Sequence, residues 1–414
     1  MSRSFRGTSS SGTNRSGAEL VAVTRLRTIP ISVPLGPPPG GSGHPLGPTF
    51  LTHCLVTVET DAGVTGYGEI SDGWGCEYAR VAEAIVTEAI ARFVVGRDPR
   101  QPDPILRRAW AWLRRRQGTT WLVAQAMSGV EIALWDAAGK LADRPAYELL
   151  GGGGSVVPVY ASGNFLSQGD ADVHMRHFAP LLARGVRGAK VRLGAAWASE
   201  LGTLAALREA IGPQVSLFID GNEVFTPKTA ARIATRLAEL GVGFFEEPCP
   251  RDDRSGLARL VAASPVPIAY GEHVFGVAGF LELAEDRLAD VWQPDAAICG
   301  GMSELRRIAA LAAARGIRLT PHSAGTPIGL AANLHAASGA PTLSMLEYSG
   351  RMDQLCPAFI GGPKVASEMI VDGALRPPDG PGLGIEPAPD LAERYPYRAP
   401  PPVTTDPALY QGAV

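Results

Sequence analysis

Long apolar runs are missing from this chain. No stretch approaches the roughly 20 residues that a bilayer-spanning helix needs, so no membrane partner is expected. A basic excess is missing too. Lysine and arginine number 38 against 41 aspartates and glutamates, a formal charge of −3, whereas a nucleic-acid surface shows as a positive balance or a basic stripe. The local exception, RRAWAWLRRR at 107–116, spreads its arginines around a helix while Trp110 and Trp112 pack, so it reads as a solvated structural helix. Cysteine is scarce. Cys54, Cys76, Cys249, Cys299 and Cys356 are odd in number, far apart and free of any CxxC pair, which excludes a disulfide framework and a zinc site and suits a reducing cytoplasm. Residues 1–18 lack the apolar segment of a signal peptide and read as a disordered tail.

What is present is enough for two units. With 414 residues, 45% of them hydrophobic and 19% charged, the chain reads as globular α/β. Residues 19–150 form an α+β unit. LVTVETDAGVTGYGEI alternates about an Asp-Ala-Gly turn, and helical periodicity follows in 76–95, 103–116 and 120–142. Gly63, Gly66 and Gly68 lie inside the hairpin instead of opening a helix, so they make no dinucleotide site. LLGGGGS at 149–155 is a linker signal. Across 151–370, eight short apolar strands (VVPVYA, GAKVRL, VSLFID, VGFFEE, VPIAYGE, DVWQPD, IRLTPH and TLSMLE) alternate with seven helical segments, 227–240 and 301–315 among them. That is the pattern of a TIM-type barrel. No eighth helix is expected after TLSMLE, and the Pro- and Gly-rich segment 371–414 is expected to return to the first unit.

From the second strand on, each apolar run ends in a polar group: Lys190 and Arg192, Asp220, Glu246, Glu272, Asp295, His322 and Glu347. In a closed barrel these ends share one rim, where barrel enzymes keep their chemistry. Asp220, Glu246 and Glu272, on adjacent strands, would repel one another without a cation, and all-oxygen ligation suits Mg²⁺, with Mn²⁺ as the alternative. Glu247 points the other way and reads as a support. Asp295 beside His322 makes a pair in which the carboxylate orients an imidazole base. His44, His53, His174, His177 and His335 are read as structural. Glu347 could donate to a substrate carboxylate only if protonated.

The chain resembles the enolase superfamily, and in particular its mandelate racemase group of acid-sugar dehydratases, racemases and cycloisomerases. The resemblance rests on KVR at 190–192, DGN at 220–222, EEP at 246–248, GE at 271–272, QPD at 293–295, PH at 321–322, LEY at 346–348, ALWDAAGK at 133–140 and LLGG at 149–152. It implies a modified (β/α)7β barrel under an N-terminal α+β capping domain. It further implies a Mg²⁺ on Asp220, Glu246 and Glu272, abstraction of the proton α to a carboxylate, and a homo-oligomer, dimer or octamer. One position departs from the pattern: such relatives with two-base chemistry carry Lys-x-Lys where this chain has Lys190-x-Arg192. A guanidinium, with a pKa above roughly 12, is a poor base and a good carboxylate partner. That leaves His322 as the base and points to dehydration of a sugar acid to a 2-keto-3-deoxy acid, with Lys190 neutralising carboxylate charge or donating a proton. The alternatives are a racemase or epimerase, a lactone cycloisomerase, or a member that binds an acid without turnover. The substrate is expected to be a small hydroxy-carboxylate. Its contacts are expected at Asn164, Asn222 and His273, with specificity set by Pro34–Pro48, the Trp74 segment and Asn164, the first of these being the loop that would select chain length.

Overall fold

The computed structural model describes residues 21–34, 50–73, 75–116, 118–360 and 366–399. The predicted tail 1–18, most of the loop at 34–48 and Trp74 lie outside them.

Alternating apolar residues build three antiparallel strands, β1 (Val23–Pro34), β2 (Phe50–Thr60) and β3 (Thr65–Ile70). Four helices back this sheet: α1 (Ala79–Ala84), α2 (Ala91–Val94), α3 (Pro102–Arg116) and α4 (Trp121–Ala142), with a π-helical turn at Ile85–Ile90 between the first two. The basic stretch is α3, and its Trp112 packs on Phe93 and under the Arg92 guanidinium. The glycines of the hairpin serve close packing. A Cβ on Gly68 would overlap the Gly129 carbonyl of α4.

After α5 (Ala146–Leu149) come eight parallel strands: β4 (Val157–Phe165), β5 (Gly188–Arg192), β6 (Ser216–Asp220), β7 (Val242–Glu246), β8 (Ile268–Tyr270), β9 (Val291–Trp292), β10 (Arg318–Leu319) and β11 (Leu346–Ser349). Seven helices lie between them: α6 (Ala171–Ala183), α7 (Trp197–Ile211), α8 (Pro227–Glu239), α9 (Arg254–Ala263), α10 (Gly276–Glu285), α11 (Met302–Arg315) and α12 (Pro327–Ala337). The ladder runs from β10 down to β4 and on to β11. The ring closes where Ser344 and Glu347 donate to the carbonyls of Leu319 and Pro321. The last strands are shorter than the sequence suggests because Pro294 and Pro321 bring no N–H to a ladder. Thr226-Pro227 and Thr326-Pro327 start α8 and α12 alike, the threonine capping and the proline opening the first turn.

The expectation of no helix after the eighth strand is corrected. α13 (Met352–Ile360) follows β11; its nine residues and internal Pro357 leave a weak helical signature, and burial of Met352, Leu355 and Phe359 holds it. The chain then lays β12 (Ala374–Leu375) antiparallel to β4 and makes α14 (Leu391–Arg394). On the way Leu383 donates to Asp136 of α4, and Arg398 donates to Ser32 of β1. Among the described residues, no helix is long and apolar enough to cross a membrane.

An aromatic layer of Tyr160, Phe218 and Phe244 plugs the barrel, with the two phenylalanines stacked at 4.1 Å. Strand alternation puts Lys190, Asp220 and Glu246 above that layer, on the inward face.

One buried group outside the mouth sets a pH limit. His335 accepts from Tyr147 N–H through Nδ1 (3.1 Å) and its Nε2 lies 3.2 Å from the Leu383 carbonyl, so it is the neutral Nε2–H tautomer. Burial pulls its pKa down to about 4. The unfolded chain takes that proton first, near pH 6.5, so the stability is present above that pH and is lost as pH falls from about 6.5 to 4. The loss is expected to be about 3 kcal/mol. Urea unfolding followed over that window should therefore fall less steeply in His335→Gln than in the wild type; equal slopes would rule the account out.

Candidate active site

The strand ends do meet. Asp220 is the register partner of Arg192 on one side and of Glu246 on the other, and no group in the cluster of Lys190, Arg192, Asp220, Glu246, Glu247, Glu272, Asp295, His322 and Glu347 is more than 7% exposed. Lys190 sits at the centre, its Nζ 2.6 Å from Glu246 Oε1, 3.1 Å from Glu347 Oε1 and 3.7 Å from Asp220 Oδ2. Arg192 spans from Asp220 Oδ2 (3.3 Å) to the Gly163 carbonyl (2.6 Å) at the end of β4.

On the opposite strands His322 Nδ1–H donates to Asp295 Oδ2 at 2.8 Å, and its Nε2 faces Glu272 Oε2 (3.5 Å) and Glu347 Oε2 (3.8 Å). The other oxygen of Asp295 accepts from Asn333 Nδ2–H at 2.9 Å. Both bonds orient the Asp295 carboxylate, and it in turn fixes the imidazole tautomer.

Burial opposes charge on every member, and the partners decide the outcome. Burial raises Asp220 despite Lys190 and Arg192, and it pushes Glu246 well up, with the neighbouring carboxylates adding to it. Burial would raise Glu272 as well, but the fields of His322 and His273 hold it at about 2. Burial would lower His322, yet Glu272, Glu347 and Asp295 lift it to about 10. Glu347 is held below its ordinary value because Lys190 and His322 outweigh its burial. The donor role expected of Glu347 needs a protonated carboxyl, a form that Lys190 and His322 beside it disfavour.

The donor chemistry fits a divalent cation. Six carboxylates (Asp220, Glu246, Glu247, Glu272, Asp295 and Glu347) crowd around Lys190, Arg192, His322 and His273, and repulsion from neighbouring carboxylates adds to the burial that raises Glu246, a repulsion that a divalent cation would relieve. Among the described residues, the group whose ligand atoms lie within 4.8 Å of one another is Glu247, Glu272 and His273. The carboxylates of the predicted trio, Asp220, Glu246 and Glu272, are instead engaged by Lys190, Arg192 and His322. Chemistry favours the trio for a hard cation, since the other group brings an imidazole nitrogen, and Glu247 is already bonded to His273 Nδ1 at 3.0 Å.

Of the expected substrate contacts, Asn222 donates to both oxygens of Asp220, at 2.9 Å from its backbone and 3.3 Å from its side chain. His273 serves Glu247, and Asn164 is half-buried beside Gly163. Asn222, Glu223 and Glu247 all have left-handed backbone (φ 43°, 58° and 36°), strain of a kind that gathers at functional rims. The sequence reading missed Gln293, whose amide donates to Glu246 Oε2 at 2.6 Å; its place two residues before Asp295 in the expected strand DVWQPD was the available signal. Asn333 carried no such signal. A narrow cleft is lined by Val33, Pro34 and Leu51, where the predicted selecting loop is rooted, and by Arg351, Gln354 and Leu355.

A (β/α)-barrel with carboxylates and a His-Asp pair at its mouth, under an α+β cap, defines a class of barrel enzymes, and comparison with known proteins narrows it. Residues 174–391 match the family described as enolase C-terminal domain-like, and residues 50–151 match the mandelate racemase / muconate lactonizing enzyme N-terminal domain. The chain belongs to the enolase superfamily, on its mandelate racemase side. It is 35% identical to a D-galactarolactone cycloisomerase of Agrobacterium fabrum, over 81% of this chain and 88% of the relative. It is 32% identical to an arabinonate dehydratase of Saccharolobus solfataricus, over 82% and 89%. A solved structure from Bradyrhizobium, described as an enolase complexed with magnesium and mandelic acid, superposes with a TM-score of 0.78 at 28% identity, covering 91% of this chain and 99% of that one.

Proposed function

We propose that the chain is a Mg²⁺-dependent acid-sugar dehydratase. It takes the proton α to the carboxylate of a 2,3-dihydroxy acid and expels the 3-hydroxyl as water, and the enol that remains ketonises to a 2-keto-3-deoxy acid. The observation that carries this reading is the pairing of His322 with Asp295 at 2.8 Å on one side of the carboxylate cluster, with Arg192 on the side where a second base would stand. Asp220, Glu246 and Glu272 would hold Mg²⁺, with Mn²⁺ as the alternative, and the ion supplies positive charge for the developing enediolate.

The remaining work falls to the chain's own groups. His322 must be neutral to accept the α proton; once the charge of Glu272 is neutralised, burial pulls the imidazole back from about 10 toward that form. The imidazolium so formed then gives its proton to the departing hydroxyl, which balances the elimination. Lys190 offsets carboxylate charge near the substrate, and Arg192 holds the substrate carboxylate or hydroxyl without exchanging a proton. Chain length would be selected by the 34–48 loop, rooted at Pro34 beside Arg351. A second reading, lactone cycloisomerisation, has the support of the Agrobacterium relative and would use the same first step.

The test is a screen of acid sugars with Mg²⁺, read as 2-keto acid, beside α-proton exchange in D₂O. The wild type is expected to form keto acid without epimer. Arg192→Lys, which restores an ionisable amine on the second face, is expected to add exchange or epimer. Exchange without keto acid in the wild type would favour the second reading. An unchanged stereochemical pattern in Arg192→Lys would remove this residue from the choice of reaction.

A further inference from the structure

We propose that Glu69, a carboxylate of the capping domain, is a positioning residue for the His322–Asp295 pair and acts through helix α12; this rests on reading that pair as the proton-transfer groups. Glu69 is the penultimate residue of β3 and is fully buried. It accepts from Thr326 N–H (3.0 and 2.9 Å to its two oxygens), from the Thr326 hydroxyl (2.6 Å) and from Gly329 N–H (2.9 Å). One side chain from another domain thus takes the Thr326 and Gly329 N–H donors at the start of α12, beside the Thr326 hydroxyl that takes Ile328 N–H, and places its negative charge on that helix dipole. The approach depends on glycine: a Cβ on Gly329 would lie 2.6 Å from Glu69 Oε2.

What α12 carries makes this contact functional. His322 lies four residues before Thr326, on the loop that Glu69 anchors. Asn333, farther along the same helix, donates to Asp295 Oδ1 at 2.9 Å and accepts from Ala296 N–H at 2.8 Å. Asp295 Oδ2 takes the His322 Nδ1–H at 2.8 Å. Loop, helix, Asn333, Asp295 and His322 therefore form a closed ring whose position relative to the barrel is set at Glu69. Asp136 supplies the contrast. It is also a buried capping-domain carboxylate, but it accepts from Tyr67 and Leu383 and touches neither the His322 loop nor α12.

The experiment uses the full chain with Mg²⁺ and compares Glu69→Gln with Asp136→Asn. Glutamine turns an amide donor toward N–H donors, so the start of α12 must shift, and displacement of a catalytic group by about 1 Å costs on the order of 10²-fold. In Glu69→Gln, kcat is expected to fall about 10- to 100-fold, with KM and Mg²⁺ affinity kept within about threefold. The downfield Nδ1–H proton resonance of His322, assigned by its loss in His322→Asn, is expected to move. Asp136→Asn is expected to lower the thermal midpoint while leaving kcat and that resonance in place. The resonance needs no substrate, so it decides the positioning role even if the reaction proves to be another one. If Glu69→Gln does not fold, Thr326→Val, which removes the hydroxyl bond alone, is expected to move kcat and the resonance in the same direction by less. A Glu69→Gln or Thr326→Val protein that loses thermal stability but keeps both kcat and the resonance overturns the proposal.

Discussion

Replacing His322 by asparagine is expected to lower turnover by about 10²- to 10⁴-fold, the range a positioned general acid-base group contributes. The high end applies here because one imidazole both takes the α proton and returns it to the leaving hydroxyl, and Arg192 opposite cannot substitute. Asparagine keeps a polar group near Asp295 Oδ2, so the fold and Mg²⁺ affinity are expected to survive. Deuterium exchange at the α carbon should disappear together with keto-acid formation, since both begin with the same proton. Exchange persisting at the wild-type rate would place the base elsewhere, with Lys190 the first residue to examine.

Removing the cation is expected to have an effect as large. Chelation should abolish turnover and Mg²⁺ should restore it, because the ion would relieve the repulsion among the buried carboxylates that raises Glu246. Binding to the folded state alone is worth about 2.7 kcal/mol of stability at a hundredfold excess over Kd, so Mg²⁺ should also raise the unfolding midpoint without substrate. Asp220→Asn is expected to lose both responses. Glu247→Gln is expected to keep the Mg²⁺ response, because Glu247 is committed to His273. The reverse pattern would assign the ion to Glu247, Glu272 and His273, the group whose ligand atoms lie closest together.

Much of the site is legible in the amino-acid order alone. A side chain every second residue and one βα unit every 23 to 30 residues suffice to line up Lys190, Asp220, Glu246, Glu272, Asp295, His322 and Glu347, because both periods are local properties of the chain. The same reasoning missed α13, whose nine residues with an internal proline carry too little periodicity. It also left the state of Glu347 conditional. That state depends on Lys190 at 3.1 Å, a residue more than 150 positions away in the chain.

The boundary between the two kinds of knowledge follows from the range of the forces involved. Sequence by itself determined the strand–helix alternation of the barrel, the α+β unit before it and the inward face of each strand, which follow from backbone period, while the capping role of that unit and the contrast of Arg192 with a basic lysine were what the family resemblance implied. Only the tertiary structure decided who meets whom: Gln293 with Glu246, Asn333 with Asp295, and Glu69 with Thr326, 257 residues later. A buried carboxylate is stable only with donors or cations at contact distance, and in this molecule those partners are brought to it by tertiary packing, within the barrel for Glu246 and Asp295 and between domains for Glu69.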